Sequence, residues 1–116
     1  MAKLPNADQA IVPREKIVDY LLSLDHQDGW GKARFFMMFG FAVERWNELE
    51  EALRHHARET DVAEEIATEY GQKYSLIGQI IAPDGRTPSI RTVWMIPTRE
   101  EAPRLVTAYA EKEVKP

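Results

Sequence analysis

QKYSLIGQIIAPDGRTPSIRTVWMI, residues 72–96, decides how this chain folds. Two runs rich in β-branched and aromatic residues flank Pro83-Asp84-Gly85-Arg86. In that string proline presets φ, aspartate accepts from nearby backbone, and glycine enters conformations closed to other residues. The pattern predicts a hairpin, with one strand over 72–82 and a second over 89–96. Pro88 stands at the start of the second strand, where a missing N–H is tolerated. Downstream, a loop over 97–103 leads to a last strand over 104–109. Upstream, Glu69-Tyr70-Gly71 reads as a turn preceded by a weaker strand over 62–68. Four strands joined by short connections read as an antiparallel meander.

Toward the N-terminus the period changes from two to that of a helix. Ile17, Val18, Leu21 and Leu22 form one apolar stripe, with Pro13 suited to the first turn. Asp25-His26-Gln27-Asp28-Gly29 interrupts it as a loop. A second helix is predicted from Trp30 or Gly31 to Phe39, with Phe35, Phe36 and Phe39 inward and Gly40 as its stop. A third runs from Asn47 to about Glu59, with Asn47 and Glu50 spaced as a capping box. Three N-terminal helices followed by a four-stranded antiparallel meander define an α+β fold. The 116 residues suit one domain, with residues 1–10 as an arm and 111–116 as a frayed tail.

Alternation along the last two strands selects candidate chemistry. Ile90, Thr92, Trp94 and Ile96 share one face, as do Val106 and Ala108, and these faces should pack on the helices. Pairing Ile96 with Arg104 then sets Arg91 opposite Tyr109, with Thr107 diagonal, on the outer face. A guanidinium, an alcohol and a phenol in one place suit an oxyanion such as phosphate. The competing reading is an ordinary polar outer face. His26 and Lys32 bracket the loop into the second helix. They suit proton transfer and phosphate binding, or else are a solvated histidine and a surface lysine.

Other features point away from specific chemistry. The chain has no cysteine, which removes disulfides and thiolate metal sites and agrees with a cytoplasmic setting. No leader or membrane span is evident. His55 and His56 are adjacent and splay about 100° apart on a helix, a poor metal pair. Glu51, His55 and Glu59 read as a solvated face, and Trp30, Trp46 and Trp94 as packing residues. No metal or other cofactor is expected. The net charge of −4 argues against a broad nucleic-acid coat but permits a local basic cleft.

Several strings together resemble a bacterial domain family of unassigned activity. They are Lys3-Leu4-Pro5-Asn6-Ala7, Asp19-Tyr20-Leu21-Leu22, Lys32-Ala33-Arg34-Phe35-Phe36, Arg91-Thr92-Val93-Trp94 and Arg104-Leu105-Val106-Thr107-Ala108-Tyr109. The last two strings are also similar to the barnase–EndoU–colicin–RelE ribonuclease group, which includes toxins of bacterial conflict systems. That resemblance implies helices followed by a four-stranded sheet and metal-independent cleavage of RNA through the ribose 2′-hydroxyl. It also implies His26, Lys32, Arg91, Thr107 and Tyr109 as catalytic residues, RNA as substrate, and a cognate antitoxin or immunity protein as partner. The alternative expectation is a non-catalytic interaction domain, such as an immunity or accessory protein, favoured by the acidic balance.

Overall fold

The computed structural model describes residues 2–111. It has an α+β architecture in which helices precede strands. A short turn of helix, α1 (Arg14–Lys16), widens into a π-helical turn, Ile17–Leu21. Next come α2 (Trp30–Met38) and α3 (Trp46–Glu59). Strands β1 (Val62–Thr68), β2 (Gly71–Gln79), β3 (Ser89–Pro97) and β4 (Arg104–Ala110) then form one antiparallel sheet in sequential order.

The helices cover one sheet face. Ile17, Leu21, Phe36, Leu49 and Leu53 bury against Tyr74, Leu76, Ile90, Trp94 and Ala108. Removing this apolar surface from water is the main favourable term in folding. Gly40 ends α2 with φ of 101°, the left-handed conformation expected of a helix stop. Pro13 sits one residue before α1 in extended conformation rather than inside it. The expected capping box at Asn47 is absent, because α3 begins at Trp46 and has no side-chain cap. Glu50 instead pairs with Arg54 at 3.1 Å. β2 stops at Gln79, short of the expected 82, although the Ile80 amide still donates to the Pro88 carbonyl. Pro88 has no N–H to return that bond, so the ladder ends.

The pairing of β3 with β4 departs from regular alternation. Arg91 lies opposite Tyr109 as expected, but Arg104 faces Met95 rather than Ile96. A bulge between Val93 and Trp94 supplies the shift, with Val106 as the extra residue. Leu105 consequently turns inward at 3% exposure, while Val106, expected inward, is 37% exposed. The arm at residues 1–10 is also more engaged than expected. Leu4 and Ala10 are buried, and Ile11 bonds the outer edge of β4 through Pro103 and Leu105. Residues 112–116 of the expected tail lie outside the described residues. Glu111 is tied to the sheet, its amide donating to the Ser89 carbonyl at 3.1 Å.

One polar chain crosses the core. The Trp94 indole donates to Thr92 Oγ1 at 2.9 Å, and that hydroxyl lies 3.2 Å from His56 Nδ1. The hydroxyl accepts from the indole and has its own hydrogen to give to Nδ1. His56 Nε2 faces the Gly78 backbone without a well-formed bond. Burial lowers the His56 pKa to about 4, with the Gly78 backbone opposing and His55 adding to the fall.

Candidate functional site

The site grows from the widened turn at Ile17–Leu21. Single π-helical turns are uncommon and recur at functional positions. Here the turn leaves Ile17 and Leu21 in the core and carries Tyr20 toward β4. The Tyr20 phenol lies 3.0 Å from Thr107 Oγ1, one hydroxyl donating to the other. Lys16 and Lys32 place their ammonium groups 5.4 and 5.3 Å from the Tyr20 ring centre. Both fall within cation–π reach. The His26 imidazole meets the same ring edge-on at 4.9 Å.

The loop before α2 holds His26 in place. The Asp28 and Gly29 amides both donate to His26 Nδ1, at 3.0 and 3.1 Å. A nitrogen that accepts two N–H groups carries no hydrogen, so the neutral ring is protonated at Nε2. Gly29 is required by close approach: a Cβ there would sit 2.3 Å from the Tyr20 carbonyl oxygen. Lys32 reaches back to the Asp28 carbonyl at 3.1 Å. Beside this cluster α2 runs along the outer edge of β4. Between them lies a groove of about 370 Å³ lined by Asp28, Trp30, Gly31, Lys32, Phe35, Tyr109 and Ala110.

The expected site residues therefore fall into two groups. His26, Lys32 and Thr107 touch or flank Tyr20, and Tyr109 joins them across the groove from Lys32. Arg91 lies beside Tyr109 in register, but its Nε donates to Glu111 Oε2 at 3.1 Å. That bond raises the Arg91 pKa above its ordinary value. Arg91, Thr107 and Tyr109 thus do not present three free groups on one face, since Glu111 and Tyr20 engage the first two.

Tyr20 and Lys16 were not singled out from the sequence as site residues. The available signal was a polar aromatic set beside the stripe of Ile17, Leu21 and Leu22. Trp30, expected as a packing residue, is half exposed in the groove, whereas Trp94 is buried. A larger groove of about 500 Å³ lies at α3 and the β2–β3 loop. Its rim carries Glu48 and Glu51 and lacks the lysines and paired hydroxyls that gather at Tyr20, where the candidate site is placed. Among the described residues no group of His, Asp or Glu side chains is arranged to hold a metal ion. No helix there is long and apolar enough to cross a membrane.

The chain belongs to the family described as Domain of unknown function (DUF6883), whose sequence model matches residues 3–112. No curated protein matches it. One similar solved chain comes from a structure described as a contact-dependent growth inhibition toxin–immunity protein complex from Klebsiella pneumoniae 342. The two share 14% identity with a TM-score of 0.72, over 88% of this chain and 100% of the other. At that identity the likeness is one of fold.

Proposed function

We propose that this chain is a toxin-type, metal-independent endoribonuclease domain, opposed in its host cytoplasm by an antitoxin or immunity protein. The observation that carries the reading is the Tyr20–Thr107 hydroxyl pair flanked by Lys16, Lys32 and His26. The fold shared with a chain from a toxin–immunity complex agrees with it. In the reaction the ribose 2′-hydroxyl loses its proton to water, its oxygen attacks the adjacent phosphorus, and the 5′-oxygen leaves and takes a proton from water, while negative charge builds on the phosphoryl oxygens. Lys16 and Lys32 offset that charge, and the hydroxyl of the Tyr20–Thr107 pair that accepts from its neighbour gives its own hydrogen to the same oxygens. Tyr109 helps to orient the strand. His26 contributes its Nε2–H. Its service as a base would require moving hydrogen to Nδ1 and losing both amide bonds, so the site relies on charge and positioning. Arg91 keeps its terminal N–H groups beyond the Nε bond to Glu111, but that carboxylate offsets its charge and makes it a weaker phosphate ligand than the two lysines.

The test is inducible expression in bacteria and incubation of purified protein with single-stranded RNA in chelator. Wild type should arrest growth and leave 2′,3′-cyclic phosphate ends. Lys32→Ala, Tyr20→Phe and Thr107→Val should each lower the cleavage rate by roughly 10²-fold, the usual loss for a phosphate-stabilising donor. Uncleaved RNA and unaffected growth with wild type would reject the reading.

A second reading, a non-catalytic immunity or accessory protein, is favoured by a different observation. Ile66 and Ile77 are exposed on the sheet face away from the helices. Such apolar surface suits a protein partner. Protection of cells from a co-expressed toxin, without RNA cleavage, would select it.

A further inference from the structure

The groove between the start of α2 and the end of β4 contains more than a phosphate requires. Trp30 is 50% exposed and Tyr109 36% exposed, and both line it together with Phe35. Gly31 forms a bare stretch of wall, since a Cβ there would meet nothing within 4 Å. Lys32 lines the groove and also flanks the Tyr20 ring, so the groove adjoins the proposed phosphate position.

We infer that this groove binds one nucleobase of single-stranded RNA, beside the phosphate held at Tyr20. The inference rests on the ribonuclease reading and adds a base subsite to it. Aromatic side chains stack on any base, because every base has a π face. Asp28 also lines the groove, and an acidic residue there suits the N–H groups that every base carries better than a second phosphate. The volume of about 370 Å³ lies at the small end of ligand sites, which run from roughly 300 to 1,000 Å³, and suits one base. Gly31 leaves open the space that the base would fill.

Binding of a 2′-O-methyl oligoribonucleotide, which lacks the attacking hydroxyl, separates this inference from cleavage. It is measured beside an abasic oligomer of the same length. Trp30→Ala, Tyr109→Ala and Gly31→Leu should each weaken the intact oligomer by about 5- to 150-fold, the range for one stacked base. Trp30→Ala and Gly31→Leu should bind the abasic oligomer as wild type does, whereas Lys32→Ala should weaken both. Gly31→Leu removes no contact and replaces glycine with a better helix former, so its effect cannot be lost folding. If those three variants bind the intact oligomer as tightly as wild type while Lys32→Ala fails, the base site is rejected and RNA binding survives. If wild type binds neither oligomer, both readings fall.

Discussion

His56 shows how one side chain sets a pH dependence for the fold. Its ring is 1% exposed and its pKa falls from 6.5 to about 4. The unfolded chain takes up a proton below pH 6.5, while the folded chain resists until about pH 4. Stability linked to His56 is therefore fully present above pH 6.5 and is lost as the pH falls toward 4. At about 1.4 kcal/mol per pKa unit the loss is about 3 kcal/mol. Urea unfolding at pH 7 and pH 4.5 should record most of it. Asp61 and Asp84 have lowered pKa values, so their contributions fade only below the ordinary carboxylate range. His56→Phe should flatten the profile between pH 6.5 and 4.5, and an unchanged slope would remove His56 as the cause.

The bulge in β4 decides which residues face the core. A regular strand would bury Val106 and expose Leu105, yet the reverse is observed. Leu105→Ala should cost about 2–5 kcal/mol, as deletion of a buried leucine does. Val106→Ala should stay within about 0.5 kcal/mol, as exposed substitutions do. Chemical denaturation of the two variants checks this, and a larger loss for Val106→Ala than for Leu105→Ala would argue for unbroken alternation. Opposite this bulge, the π-helical turn carries Tyr20 to Thr107. Two local irregularities, one in a helix and one in a strand, thus meet at the same hydroxyl pair.

At the scale of the molecule, charge and shape oppose each other. The chain carries a net charge of −4, yet Lys16 and Lys32 converge on one tyrosine ring. On the proposed ribonuclease reading, such a surface favours short contact with RNA over coating it. Two phosphate contacts imply a slope of about −1.4 in log affinity against log salt for single-stranded RNA. Titrations at several salt concentrations measure this slope, and Lys32→Ala should make it shallower by about 0.7. A slope near −4 would indicate a broad basic face that this arrangement lacks.

The sequence alone determined the helices-then-strands order and the hairpin turn at Pro83–Asp84–Gly85, whereas the pairing of Arg91 with Tyr109 was reached through an Ile96–Arg104 register that the bulge breaks. The first two follow from periodicity or turn chemistry, which act over a few residues. It also singled out His26, Lys32, Thr107 and Tyr109, but as separate suggestions. Only the tertiary structure drew them toward Tyr20, engaged Arg91 with Glu111 and exposed Trp30 beside β4. The π-helical turn, the bulge and the run of α2 along the sheet edge leave no periodic trace. They arise from packing between segments as distant as Tyr20 and Thr107, and local pattern carries no information about contacts over that separation.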